Sequence, residues 1–176
     1  MARLSDAAGG VAPDAFTSAR GSMATIAVGT VDVVVLARHG DAWHVLALQR
    51  ALDTRCPLSW EIVHGRIDGA EEPEDAARRE LAEETGLAAT RLYSVRVQPI
   101  YLVRTHTVHL GVGFAAVVSR NTSVTLGPEH VGHAWLTVPD AGERLSWPAD
   151  RTAVREAAPL VRDGTAGPLE DVLRVI

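Results

Sequence analysis

Gly65-Arg66-Ile67-Asp68-Gly69-Ala70-Glu71-Glu72-Pro73-Glu74-Asp75-Ala76-Ala77-Arg78-Arg79-Glu80-Leu81-Ala82-Glu83-Glu84-Thr85-Gly86-Leu87 is the stretch that decides the fold. Pro73 suits a first helical turn, and Glu74 and Asp75 suit the positive end of a helix dipole. Residues 76–84 are almost all strong helix formers, and Gly86 is a C-terminal stop, so the spacing predicts a helix over residues 74–85. On it Glu80, Glu83 and Glu84 stand at i, i+3 and i+4, on one face, with neighbouring Cβ atoms about 5–6 Å apart. Three carboxylates so close repel each other. A hard divalent cation such as magnesium, which takes oxygen ligands, reverses the sign of that interaction. A solvated acidic face is the plainer reading of a glutamate-rich helix. Two features weigh against it: Glu80 lies one position from the apolar stripe of Ala77 and Leu81, and a glycine-bearing loop leads straight into the helix.

Around this helix the chain reads as strands, helix, strands, helix. Ile26–Leu36 is valine-rich and reads as a buried strand, His39-Gly40-Asp41 as a turn, and Trp43–Gln49 as a second strand forming a hairpin with the first. Arg50–Ser59 is a loop before a short strand at Trp60–Val63. Leu92–Val103 is interrupted by Pro99, and Val108 to Val118 alternates strictly, the best strand signal in the chain. Residues 121–128 are loop, His133–Val138 a further strand, and Asp150–Val161 a last helix that Pro159 ends or kinks early. The expected class is α/β (α+β), a mixed sheet between helices.

Bulk properties narrow the function. The 176 residues are 47% hydrophobic and 22% charged, with a formal net charge of −5, an ordinary globular balance. The basic residues are scattered, so no long nucleic acid is expected as partner. The single cysteine, Cys56, excludes an intrachain disulfide and a cysteine-based zinc cluster, and fits a cytoplasmic setting. No apolar run reaches the roughly 18–20 residues of a membrane span, so no membrane partner is expected. Residues 1–22 read as a flexible extension without a secretory h-region, with Met23 an alternative start, and residues 23–176 as a single domain. His106 and His109 face opposite sides of a strand, which argues against a zinc site.

Residues 65–87 resemble the Nudix box at every defined position: Gly65, Glu71, Arg79-Glu80, apolar Leu81, Glu83-Glu84, Gly86 and apolar Leu87. The likeness extends more loosely over residues 25–162. It implies an α/β/α sandwich with a mixed central sheet, in which the box forms loop–helix–loop and its glutamates bind Mg2+, with Mn2+ as a substitute. Arg79 would pair with Glu71 and hold the loop against the helix. The metal would neutralise charge on bridging phosphates and acidify a water, and a carboxylate would complete its deprotonation for in-line attack on phosphorus.

Downstream, Glu129-His130 and Ala134-Trp135-Leu136 are similar to a segment of the nucleoside-triphosphate branch, where a glutamate outside the box is a further metal ligand or the general base. Glu129 takes that part here, or is an ordinary loop glutamate. The expected metal set is Gly65, Glu80, Glu83, Glu84 and Glu129, and the expected catalytic set is Glu83, Glu84, Glu129 and Arg79. Arg50, Trp60, His64 and Arg66 are the candidates for substrate contact, with Arg104 a further phosphate candidate. For Trp60 the alternatives are base stacking or core packing. His64 stands where many relatives carry a second glycine, and either projects toward phosphates or lines a strand end.

The expected function is hydrolysis of a nucleoside triphosphate, or a similar triphosphate, to monophosphate and pyrophosphate. Two alternatives stand beside it. One is hydrolysis of a nucleoside diphosphate linked to another group, such as ADP-ribose or a dinucleoside polyphosphate. Pro99 and Tyr101 do not match the marker positions of those branches. The other is a silent nucleotide-sensing module, against which the retention of every box glutamate argues. Dimers are common in the family, which makes a homodimer an expectation.

Overall fold

The structure, a computed structural model, describes residues 25–176. The expected extension at residues 1–22 and the alternative start at Met23 lie outside the described residues. Seven strands form one mixed sheet: β1 (Thr25–His39), β2 (Ala42–Arg50), β3 (Trp60–Glu61), β4 (Val63–Arg66), β5 (Ala89–Leu102), β6 (Thr107–Val118) and β7 (His130–Thr137). The main strand order is β3-β2-β1-β6-β5, with β4 paired to β1 and β7 to β2. β1 and β6 run parallel, and the other pairs are antiparallel.

Strand alternation divides the core into two layers. On one face, Val31, Val33, Val35, Phe114 and Ala116 pack against Ala76, Ala77 and Leu81 of α1 (Pro73–Thr85). On the other, Val34, Leu36, Ala115 and Val117 pack against α2 (Val138–Arg144) and α3 (Pro148–Leu160). This is the expected sandwich. A single 3₁₀ turn, Gly167–Leu169, leads into the short α4 (Glu170–Leu173). Beyond it the tail pairs with the outer edge of β5, where Val175 N–H donates to Leu92 O at 2.8 Å. That contact covers part of an otherwise open edge.

Several elements differ from expectation. β1 is longer than the valine run, and its start is not buried: Ile26 and Val28 are 48% and 56% exposed, with burial beginning at Val31. Pro99 does not interrupt β5; it sits opposite Leu110. β5 borders only β6 along this part of its length, and an edge strand tolerates a residue without an N–H. β7 begins at His130, earlier than expected. α2 follows directly, capped by Thr137 Oγ1, which accepts from Asp140 N–H at 3.3 Å. α3 starts two residues earlier than read and runs through Pro159 to Leu160.

Candidate active site

Alternation along residues 60–65 sets the geometry of the site. Trp60, Ile62 and His64 turn toward the α3 side, while Glu61, Val63 and Gly65 turn toward α1. At Gly65 the approach is so close that a Cβ would lie 2.0 Å from Glu80 Cγ. Only glycine lets the strand reach the glutamate helix there. Gly65→Ala must push the Glu80 side chain aside. We expect it to lower kcat/KM about 100-fold, while circular dichroism shows an intact fold; an unaffected kcat/KM would remove Glu80 from the site.

Arg79 ties the loop to the helix. Its guanidinium donates to both Glu71 oxygens at 3.0 and 2.9 Å, to Glu80 Oε1 at 2.8 Å, to Glu83 Oε2 at 3.3 Å and to the Arg66 carbonyl at 2.8 Å. The Arg79–Glu71 pair implied by the resemblance is therefore present. Hydrogen bonds from Arg79 hold the Glu71 carboxyl below its ordinary range. Glu80 Oε1 also accepts from Arg66 N–H at 3.1 Å.

Glu84 is different. Its Oε2 is buried and has no hydrogen-bond partner. Burial pushes its carboxyl up to about 8; His64 opposes the shift, and the charges of Glu80, Glu61 and Glu129 add to it. The charges of three other carboxylates thus reach the Glu84 carboxyl.

Glu61 was missed as a site residue in the sequence. It is 4% exposed and accepts from Arg50 Nη1 at 2.8 Å, with His130 Nε2 3.1 Å away. Burial works against its charge, yet the hydrogen bonds from His130 and Arg50 hold its pKa below the usual value. The signal was available: Glu61 shares a strand face with Val63 and Gly65.

Arg50 also donates to Glu129 Oε2 at 3.0 Å, to Arg55 O at 2.7 Å and to Thr54 Oγ1 at 3.2 Å. Its guanidinium is filled by the protein, and it positions two glutamates. The loop carrying Glu129 is fastened to the end of α1, where Thr125 N–H donates to Thr85 O at 2.8 Å and Gly127 N–H to Glu84 O at 3.0 Å.

Trp60 stands apart from this cluster, while His64, whose charge acts on Glu84 and Glu61, is held by two aspartates. His64 Nδ1 lies 2.8 Å from Asp32 Oδ1, and Nε2 lies 3.3 Å from Asp150 Oδ2. Burial disfavours the imidazolium, but the hydrogen bonds and charges of Asp150 and Asp32 outweigh it and raise the pKa well above the ordinary value. Both ring nitrogens of His64 thus meet carboxylates, and its β-strand backbone needs no glycine. Trp60 packs on the core beneath α3, with the Arg144 guanidinium 4.9 Å from its ring centre.

Among the described residues, no three His, Cys, Asp or Glu side chains converge closely enough to enclose an ion. Glu80 and Glu83 both turn to Arg79 instead. The donor set nevertheless fits a divalent cation: an unpartnered buried carboxylate oxygen at Glu84, flanking carboxylates, and a strand that leaves no side chain at Gly65.

Comparison with known proteins identifies the family. A family model described as NUDIX domain matches residues 28–157. A Myxococcus xanthus protein named octanoyltransferase is 34% identical over 138 residues, which are 73% of this chain and 36% of that protein. An RNA pyrophosphohydrolase of Bartonella bacilliformis is 44% identical over 64 residues, 35% of this chain and 38% of that one. The chain spans little more than a third of the length of these curated relatives. Among solved structures, the NUDIX domain of Shewanella oneidensis NrtR, complexed with ADP ribose, aligns with a TM-score of 0.65 at 19% identity, covering 82% of this chain and 93% of that one. A C. elegans Ap4A hydrolase binary complex aligns with a TM-score of 0.63 at 18% identity, covering 76% and 97%. At such identities the structural likeness speaks for the fold alone. The complete box, its Arg79–Glu71 brace and the match over residues 28–157 establish that the chain belongs to the Nudix family.

Proposed function

We propose that this chain is a divalent-metal-dependent hydrolase of nucleotide-linked phosphoanhydrides, with a nucleoside triphosphate, cut to monophosphate and pyrophosphate, as the leading substrate class. The observation that carries this reading is the Glu84 carboxylate, half-buried, unpartnered at one oxygen and crowded by Glu80, Glu61 and Glu129. A fold does not gain from such an arrangement, which a cation and a polyphosphate together would reverse.

Gly65, through its backbone, and Glu80, Glu83, Glu84 and Glu129 would hold magnesium or manganese, which supplies charge neutralisation for the phosphates and a more acidic water. The protein's own residues do the rest. Arg79 and the Arg66 N–H fix Glu80, while Glu83, with its side chain 61% exposed and one long contact to Arg79, is free to turn. Glu84, whose carboxyl burial pushes up to about 8, would give up its proton as the cation binds. Arg50 holds Glu129 beside the cluster as extra ligand or base. Arg66 is kept as a substrate contact; the occupied nitrogens of His64, the filled Arg50 fork and the α3-side setting of Trp60 make these three supports of the site.

The names of the relatives leave the substrate open. The octanoyltransferase name attaches to a protein of which 36% is matched, and it carries no substrate to this chain. Ap4A hydrolase and the ADP-ribose complex keep the second class, a nucleoside diphosphate linked to another group, in the test. No helix among the described residues is long and apolar enough to cross a membrane, and the reading keeps the cytoplasm as location and a homodimer as assembly.

The experiment is a nucleotide panel with and without Mg2+, with products separated by chromatography. Monophosphate and pyrophosphate from a triphosphate are expected, and only with the metal. Turnover confined to ADP-ribose or a dinucleoside polyphosphate would move the substrate to the second class. No turnover of any phosphoanhydride would favour a sensor module.

A further inference from the structure

A groove of about 630 Å3 lies on the α3 side of the sheet, between the β1–β2 hairpin, the start of α2 and the end of α3. Ala42, Trp43, Val138, Pro139, Ala158 and Pro159 form its apolar walls. It is remote from the glutamates. β2 leads from Trp43 to Arg50 in seven steps of about 3.3 Å, or roughly 23 Å.

The side chains of these walls have few polar atoms left to offer. The indole N–H of Trp43, the one donor of its ring, is spent on the Arg162 carbonyl at 3.1 Å. Thr137, which also lines the groove, donates from Oγ1 to Asp140 Oδ2 at 2.6 Å and accepts from Asp140 N–H at 3.3 Å. Those bonds hold the indole ring and the first turn of α2, with Pro139, in place.

The charge on the groove is of one sign. Arg155, Ala158 and Pro159 stand at i, i+3 and i+4 on one face of α3, and Arg162 follows just past its end. Two guanidinium groups therefore flank an apolar floor. Arg155 Nη2 donates to Thr152 Oγ1 at 2.9 Å, which steadies the side chain and uses one of its five donors. No carboxylate lines the groove: Asp140 turns to Thr137, Glu156 to Arg96, and Asp163 stays outside it. A carboxylate is matched by a single guanidinium fork, whereas a phosphate, with more charge and more oxygens, draws donors from several groups. The volume falls in the range of about 300–1,000 Å3 typical of small-ligand sites.

We infer that this groove is a second ligand site, separate from the glutamate cluster, that takes a small carboxylate on an apolar body. The acid meets the arginine rim of Arg155 and Arg162, and the body lies against Trp43, Pro139 and Pro159. An aliphatic chain and an aromatic ring share that chemistry, and the probes distinguish them.

The test is a titration of the full chain, labelled with nitrogen-15, with heptanoate and with 2-naphthoate at low salt, followed by nuclear magnetic resonance. The four tryptophans give four indole N–H signals, and that of Trp43 is the one missing from Trp43→Phe. At least one probe is expected to shift the Trp43 signal saturably, and the tighter of the two names the body. Arg155→Ala/Arg162→Ala, at two exposed positions, should raise Kd at least tenfold, and so should replacing the tighter probe by its uncharged amide. No saturable shift at Trp43 with either probe, equal binding of the amide, or an unchanged Kd in the double variant would overturn the inference. The double variant should also keep the hydrolytic kcat/KM of the wild type, and a loss of it would overturn the separation of the groove from the glutamates. Binding is read without turnover, so its outcome is independent of the proposed hydrolase reading.

Discussion

Replacing Glu84 by glutamine is expected to abolish turnover and, without metal, to stabilise the fold at alkaline pH. Both effects follow from one side chain. Its carboxyl is pushed up to about 8 by burial, with Glu80, Glu61 and Glu129 adding and His64 opposing. A carboxylate whose folded pKa is raised gives stability that is present below the unfolded value of about 4.5 and is lost as pH rises through about 8. Above that pH the ionised group costs the fold on the order of 3–5 kcal/mol. Glutamine has the same shape and no charge. The Tm of Glu84→Gln should therefore equal that of the wild type near pH 4, begin to exceed it as pH rises above about 4.5, and exceed it by several degrees at pH 9. Hydrolysis should fall roughly 10³-fold or more, and Mg2+ should raise the Tm of the wild type but not of the variant. Equal melting curves at pH 9 would show that Glu84 is solvated, and full activity would exclude it from the chemistry.

The second large effect is expected at Arg79. One guanidinium meets Glu71, Glu80, Glu83 and the Arg66 carbonyl. Arg79→Ala leaves three carboxylates facing each other and detaches the loop from the helix. A loss of about 1–3 kcal/mol is expected for a partly buried network of this kind, with a fall in kcat/KM of about 100-fold from the displaced Glu80. Arg79→Lys keeps the charge but not the fork that grips both Glu71 oxygens. It should restore most of the melting temperature and little of the activity, a split that also covers the case in which the alanine variant folds poorly. Full activity in the lysine variant would reduce Arg79 to a surface charge.

These residues were legible to different degrees, for physical reasons. The α1 helix could be read from local chemistry alone: a proline in its first turn, a helix-forming run, and Gly86 ending it in the left-handed region at φ 68°. The alternating β6 strand was equally plain. Glu61, Asp32, Asp150 and His130 were not, because their roles come from contacts 32 to 88 residues apart in sequence. Trp60 and His64 show a missed inference: a period of two along residues 60–65 already sends them to the opposite face from Gly65. The helix α2 was also announced, by Thr137-Val138-Pro139-Asp140, which has the form of a capping motif. Pro99 misled because its tolerance depends on β5 being an edge strand, and strand order is not written in any local window.

The central claim is that the carboxylates around Glu84 form a metal centre, and Mn2+ binding tests it most directly. Mn2+ is titrated into the full chain at pH 7, with free ion followed by electron paramagnetic resonance and proton release by calorimetry in buffers of different ionisation enthalpy. Because the Glu84 carboxyl is mostly protonated at that pH, binding should release close to one proton per ion. Glu84→Gln should bind at least tenfold more weakly and release almost none. Failure of the wild type to bind Mn2+ at millimolar concentration, or equal binding and equal proton release by the variant, would contradict the account.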